Sequence, residues 1–287
     1  EIGEGEKIVA LRADIDALPI NEMTDYPYKS QNPGVMHACG HDFHTASLLG
    51  AAVVLKQKEK ELKGRVRLIF QPAEEINAGA KEVIKSGVLK GVSAIAGFHN
   101  KPDLPLGTIG IKSGPLMAAV DRFEVKINGT GTHAAAPQNG NDPIVTASQI
   151  VTSIQSIVSR YVSPVDMAII SVTKISGGNT WNVIPESVIM EGTMRTFKES
   201  VQERIKKLFT QVIKNYTEAF NQKYEILWGD AHSFVDNDKI LAEAIGKEAS
   251  IFADVKVPEI TTGGEDFSFY QKEVPGLFAF IGTGCPY

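Results

Sequence analysis

Between Met36 and Thr45 the chain sets three imidazoles, a thiol and a carboxylate within ten residues: Met36-His37-Ala38-Cys39-Gly40-His41-Asp42-Phe43-His44-Thr45. Cys39 and His41 stand one residue apart across Gly40, where a permissive backbone can bend two donors toward one ion. An apolar pattern at helical spacing follows at once, with Ala46, Leu48, Leu49, Ala52 and Val53. The segment therefore reads as a ligand loop feeding a helix that starts near Thr45. Such a position suits an anionic donor such as a thiolate, because unpaired amides and the helix dipole are there. Taken singly, Cys39 reads equally well as a small buried hydrophobe and each histidine as a polar loop residue. Together they point to a metal.

Further donors recur where neighbouring strands end. The strand pattern Ile8 to Asp14 continues into Ile15-Asp16-Ala17-Leu18-Pro19, so two acids mark a strand's C-terminal end, and period two sends Asp14 and Asp16 to one side. One of them could orient a ligating histidine. Val66 to Phe70 is a second strand, closed by Gln71-Pro72-Ala73-Glu74-Glu75. Adjacent glutamates beside metal ligands divide labour: one ligates, and the other acts as general base on a water that the metal activates. A helix over Ala78 to Leu89 leads to the strand Ala94 to Phe98, which ends in His99-Asn100. Strands and helices alternating with donors after each strand predict an α/β fold, its parallel sheet carrying the site along one edge.

From about Pro115 the organisation changes. Strand patterns at Val120 to Ile127, Ala168 to Ile175, Val188 to Thr196 and Lys223 to Trp228, with helices over Asp142 to Tyr161 and Glu199 to Phe220, give the order βαββαβ, a ferredoxin-like domain. It is read as an insert at 115–230 between two parts of a catalytic domain, 1–114 and 231–287. The second part holds helices at Lys239 to Ile251 and Glu265 to Lys272 and the strand Leu277 to Ile281. Inside the insert, the loop Gly129 to Pro137 carries His133, the turn Gly177 to Pro185 carries Asn182, and Arg195 ends a strand. An Arg and an Asn on one small domain could hold a substrate carboxylate.

A chain of 287 residues is long enough for two cores. Its 29 basic and 34 acidic residues are interspersed and sum to 29 − 34 = −5, which calls for neither nucleic acid nor an anionic membrane. No apolar run reaches the length of a membrane span, and no signal peptide opens the sequence. Two cysteines, Cys39 and Cys285, cannot build a disulfide framework, so a reducing, cytoplasmic setting is expected. The first strand pattern follows Glu1 to Lys7 directly, and the chain stops just after another apolar strand, so both ends are expected to fall inside a fold.

Seven segments in this order resemble a known family: Ala13-Asp14-Ile15-Asp16-Ala17-Leu18-Pro19, His37-Ala38-Cys39-Gly40-His41-Asp42, Gln71-Pro72-Ala73-Glu74-Glu75, Gly131-Thr132-His133-Ala134, Asn182-Val183-Ile184-Pro185, Gly192-Thr193-Met194-Arg195-Thr196-Phe197 and Gly264-Glu265-Asp266-Phe267. They are similar to metal-dependent N-acyl-amino-acid amidohydrolases: aminoacylase-like, hippurate hydrolase and auxin-conjugate hydrolase enzymes of the carboxypeptidase-like clan. The resemblance implies hydrolysis of the amide of N-acyl-L-amino acids, the other reading within the clan being a dipeptidase or carboxypeptidase. It implies that Cys39, His41, Glu75 and His99 bind two divalent metals, the thiolate between them, and that Glu74 is the general base. Zinc and manganese suit these ligands best, with cobalt and nickel also compatible. Asp14 would be no ligand, and Asp16 a supporting carboxylate. His133 would stabilise the oxyanion from a lid, across a homodimer formed through that domain, while Asn182 and Arg195 take the substrate carboxylate. A non-catalytic, metal-stabilised dimeric binding protein is the remaining class, and an intact Glu74 argues against it.

Two departures stand out. The family's N-terminal helix has no counterpart here, nor does the His-containing segment that follows the match to Gly282-Thr283-Gly284-Cys285-Pro286, so one metal position is expected to be a ligand short. His99 is also followed by Asn100-Lys101-Pro102 in place of an apolar residue and Pro.

Overall fold

The computed structural model describes residues 1–229 and 231–284. Cys285, the second cysteine, lies outside the described residues. The chain divides into two units: unit 1 is Glu1–Met117, Val235–Thr261 and the segment from Glu265 onward, and unit 2 is Ala118–Phe234 with Thr262–Gly264.

Unit 1 opens with β1 (Ile8–Asp14), α1 (His41–Gln57), β2 (Arg65–Gln71), α2 (Gly79–Lys85), β3 (Val92–Lys101), β4 (Thr108–Gly110) and β5 (Gly114–Met117). The helix expected from Thr45 begins at His41, because Gly40 takes the left-handed conformation (φ 86°) and turns the chain straight into it. The helix expected as far as Leu89 stops at Lys85, where Gly87 at φ 81° ends it. The strand expected to close at Phe98 runs on to Lys101, placing His99 and Asn100 inside a ladder.

In unit 2 the chain forms β6 (Ala119–Asn128), β7 (Thr132–His133), α3 (Pro143–Ser156), β8 (Ala168–Ser176), β9 (Val183–Ile184), β10 (Ser187–Thr196), α4 (Glu199–Ala219) and β11 (Lys223–Trp228). Strict alternation in β6 and β10 buries Phe123, Val125, Ile127, Met190 and Met194 on one face. The antiparallel sheet runs β11-β6-β10-β8. Two helices cover its apolar face. Asp142 caps α3 by accepting from the Ile144 and Val145 amides, with Pro143 as first helical residue. Val201, Ile205, Phe209, Ile213 and Thr217 repeat every fourth residue along the buried side of α4. Each fully buried Ile or Phe here contributes about 1.5–3 kcal/mol of transfer free energy. The helix expected through Tyr161 gives way at Ile157 to a π-turn, Ile157–Tyr161.

Unit 1 resumes with β12 (Val235–Asn237), α5 (Lys239–Ala249), β13 (Asp254–Lys256), α6 (Ser268–Glu273) and β14 (Gly276–Gly282). Its central sheet has six strands in the order β13-β4-β14-β3-β1-β2 and is parallel except where β14 meets β4. The core gathers Ile8, Ala10, Ile69, Ile95, Phe267, Tyr270 and Phe278. Pairing of β1 with β2 sets Asp14 beside Gln71, and β3 pairs with β1 on the other side, so three strand ends open in one direction. β14, distant in sequence, extends β3 by pairing Phe280 with His99 and Ile281 with Asn100. Among the described residues no helix is long and apolar enough to cross a membrane.

Candidate metal centre

At the end of β1 the buried side chain of Asp14 meets two cations or donors. Arg12, two residues back and fully buried, donates to Asp14 Oδ2 at 2.6 Å, to Asp266 Oδ1 at 2.8 Å and to Gln71 Oε1 at 2.8 Å, and lies 3.0 Å from Glu265 Oε1. Gln71 in turn donates to both oxygens of Asp266, and the Tyr270 hydroxyl donates to Gln71. Burial disfavours the Arg12 charge, yet Glu265, Asp14 and Asp266 together hold its pKa above the ordinary value. Desolvation raises Asp14 but is overcome by Arg12 and His44, which keep it well below the usual carboxylate range. Asp14 is thus an ionised acceptor, and His44 Nδ1 donates to its Oδ1 at 2.5 Å.

His41, in the first turn of α1, is held from one side only. Its Nδ1 faces Asp16 Oδ1 at 3.3 Å, and Asp16 Oδ2 accepts the Glu75 backbone N–H at 3.0 Å, so one carboxylate ties the ends of β1 and β2 to the helix. The other nitrogen, Nε2, stands 3.8 Å from Asp14 Oδ2 and 3.9 Å from Glu75 Oε1. Both His41 Nε2 and Glu75 Oε1 are buried without a hydrogen-bond partner among the described residues. Cys39 Sγ lies 3.7 Å from His99 Nε2, whose ring is turned by Nδ1 donating to the Asn100 carbonyl at 2.8 Å. The loop that carries Glu74 and Glu75 turns through two left-handed residues, Asn77 at φ 57°, a conformation Asn tolerates, and Ala73 at φ 60°, which costs a residue with a plain Cβ about 1–2 kcal/mol.

These spacings fit a cation between the donors. Two ligands bonded at about 2.0–2.3 Å in tetrahedral array sit roughly 3.3–3.7 Å apart, close to the 3.7–3.9 Å separations above. Ligand atoms of Cys39, His41 and His99 lie within 4.8 Å of one another, as do those of Asp14, His41 and His44, and of His41, Glu74 and Glu75. His41 is common to all three sets. Burial, then the charges of Glu75 and Glu74, push the Cys39 thiol up to about 12, and burial followed by Asp266 pushes Glu74 up to about 8, against the pull of Arg12. His99 is lowered to about 4 by burial and by His44, so it is a neutral imidazole with a free lone pair. A divalent cation reverses the first two shifts, because it favours thiolate and carboxylate.

The structure therefore gathers Asp16, Cys39, His41, Glu74, Glu75 and His99 in unit 1. In unit 2, β7 pairs with β9 so that His133 faces Val183, and the Ala134 N–H donates to the Asn182 carbonyl at 2.9 Å. His133 and Asn182 are thus neighbours. Arg195 is not with them. It lies eight residues along β10 from Ser187, the end nearer Asn182, which is roughly 26 Å at about 3.3 Å per residue, and it donates to the Thr262 carbonyl at 3.4 Å. The sequence motifs contain Gln71 and His44 without a role for either, and do not contain Arg12 or Tyr270. The signal for Arg12 was present: a charged residue inside the apolar strand run Ile8 to Ala13 has to find buried partners.

Known proteins resemble this chain over almost its whole length. The family model described as peptidase family M20/M25/M40 matches residues 10–286. The chain is 52% identical over 284 residues to N-acetyl-L-cysteine deacetylase of Bacillus subtilis, covering 98% of this chain and 68% of that protein. It is 43% identical over 290 residues to IAA-amino acid hydrolase ILR1-like 4 of Arabidopsis thaliana, covering 98% and 66%. Among solved structures, the Bacillus subtilis YXEP protein, a dinuclear metal binding peptidase from the M20 family, superposes with a TM-score of 0.87 at 45% identity over 99% of this chain and 74% of the other. A match running through nearly every strand and donor described above leaves one assignment: the chain belongs to peptidase family M20/M25/M40.

Proposed function

We infer that this chain is a metal-dependent amidohydrolase that cleaves the amide bond of N-acyl-L-amino acids. The observation that carries this reading is the pair of buried, unpartnered ligand atoms, His41 Nε2 and Glu75 Oε1, facing each other at 3.9 Å with Glu74 alongside. Relatives named as a deacetylase of N-acetyl-L-cysteine and a hydrolase of an amino-acid conjugate support the substrate class. Two divalent ions, zinc or manganese before cobalt or nickel, would be held by Cys39, His41, Glu75 and His99, with Asp16 orienting His41. When bound they supply a Lewis acid for the amide carbonyl and lower the pKa of water.

The chain's own residues do the rest. Glu74 takes the proton from the attacking water at a carboxylate oxygen as the C–O bond forms, then delivers it to the leaving nitrogen as the C–N bond breaks. His133 accepts the Ala135 N–H at Nδ1 (3.1 Å), which leaves its Nε2 to carry the proton and donate to the developing oxyanion. Asn182 and Arg195 select for a free carboxylate. Arg195 lies nearly the length of β10 from the strand end nearer Asn182, too far for one copy of unit 2 to close both on the same carboxylate, which supports a homodimer in which each 115–230 domain acts as lid over its neighbour's site. A thiolate ligand suits a reducing, cytoplasmic setting.

Release of amine from N-acetyl-Met, hippurate and a plain dipeptide, with and without added Mn²⁺ or Zn²⁺, tests the substrate class. Glu74→Gln should keep its metal and lose roughly a hundredfold or more in turnover. Normal turnover in the metal-loaded variant would remove Glu74 from its role. Mixing Glu74→Gln with His133→Ala subunits should restore part of the activity, because one site of a mixed dimer combines both intact groups. No rescue after confirmed subunit exchange would rule out the shared site.

A further inference from the structure

Behind the ligands lies an array given no task in the chemistry above: the buried Asp14 and His44 with the half-buried Asn100. His44 is fully buried, donates from Nδ1 to Asp14, and presents Nε2 to Asn100, whose backbone N–H donates to it at 3.0 Å and whose side-chain amide lies 2.8 Å away. Asn100 acts on two ligands at once. Its carbonyl accepts His99 Nδ1–H and so aims His99 Nε2 at Cys39. Its side-chain amide is packed against Gly40, where a Cβ would come within 2.4 Å of Asn100 Oδ1. Gly40 is the bend between Cys39 and His41, so the turn that converges those donors rests on this amide. His44 completes the brace, stacking edge-on against His99 with centroids 4.6 Å apart and lying 5.3 Å from the His41 ring.

We propose that Asn100 and His44 form a positioning unit for the metal centre, fixing the Cys39-Gly40-His41 turn and the His99 ring in the spacing a cation requires. The inference rests on the metal centre proposed above and goes beyond it by naming residues that touch neither ion nor substrate. An apolar side chain of the same size at position 100 would keep the packing against Gly40 and the backbone N–H to His44, but remove the side-chain amide that lies 2.8 Å from His44 Nε2. The backbone carbonyl would still orient His99, so the loss is in affinity and geometry rather than in ligand number.

The test titrates Co²⁺ into the chelator-treated full chain, reading affinity by competition and the thiolate-to-cobalt charge-transfer and d–d bands. Wild type should bind with a thiolate band. Asn100→Leu should bind about ten-fold or more weakly with shifted d–d bands, and Asn100→Ser, which keeps a polar group, should recover part of the affinity. His44→Leu should resemble Asn100→Leu, and the double variant should be little worse than either, as expected of two parts of one unit. Unchanged affinity and bands in Asn100→Leu overturn the proposal, as does strict additivity of two losses. Should Asn100→Leu fail to fold, the Asn100→Ser and His44→Gln pair carries the same comparison. A wild-type chain that takes up no Co²⁺ overturns the metal centre itself and this inference with it.

Discussion

Around Arg12 three carboxylates lie within 3.0 Å of one guanidinium and, among the described residues, none of these side chains has an unpartnered buried atom, whereas around His41 the Nε2 atom and Glu75 Oε1 face each other at 3.9 Å with no hydrogen-bond partner. Both clusters are buried, both belong to unit 1, and Asp14 serves in each. Acid density does not distinguish them. Glu74, Glu265 and Asp266 also bring ligand oxygens within 4.8 Å, yet Arg12 already supplies the cation for that group. What separates a structural cluster from a ligand site is whether the charges are balanced by the chain itself. The first cluster is complete as protein; the second would be completed by the ion proposed above.

That contrast is open to test. Arg12→Leu strips the counter-charge from Asp14, Glu265 and Asp266 and should lower the unfolding free energy of the chelated protein by about 3–5 kcal/mol in urea titrations. Unaltered stability would show that the first cluster is not held by its guanidinium. Metal removal should act on the second cluster alone. With free metal at about a thousand times Kd, chelation should cost the wild type about 4 kcal/mol, and Cys39→Ser should lose most of that response along with bound metal in elemental analysis. A Cys39→Ser protein with full metal content would remove the thiol from the ligand set.

The smallest effect concerns protons. In the metal-free chain the Cys39 thiol, pushed up to about 12, is protonated at neutral pH, while His99, lowered to about 4, is already neutral. Between those values, forming the thiolate ligand expels one proton, so affinity should rise about tenfold per pH unit as pH increases. Below about pH 4 protonation of His99 should steepen the dependence. Isothermal titration in two buffers of different ionisation enthalpy would count the protons, and a count of zero at pH 7 would mean that the thiol is not the group that ionises.

The long elements were legible because periodicity is written locally. Val120 to Ile127 and Val188 to Thr196 alternate, and the structure has strands at Ala119–Asn128 and Ser187–Thr196; the strand Lys223–Trp228 agrees at both ends. The short strands β4, β5, β12 and β13, of three or four residues, carry no period long enough to read and exist because a neighbour pairs with them. Within the site, Cys39, His41, Glu74, Glu75 and His99 could be named because each stands in a short motif at a strand or helix end. His44 was counted among the imidazoles but given no task, since its partners Asp14 and Asn100 lie 30 and 56 residues away.

The sequence by itself determined the chemistry available: which donors exist, that a flexible Gly40 separates two of them, that strand ends carry acids, and that apolar runs alternate with helices into a mainly parallel sheet. Only the tertiary structure decided how those groups are shared out. Asp14 could have been ligand or support until Arg12 and His44 were seen to occupy its oxygens, and Arg12 could not be understood until Asp266, 254 residues along the chain, closed on it. The reason is physical. Local periodicity follows from the backbone's own repeat, whereas the balance of a buried charge depends on every group that folding brings within a few ångströms, and sequence order says little about which those will be.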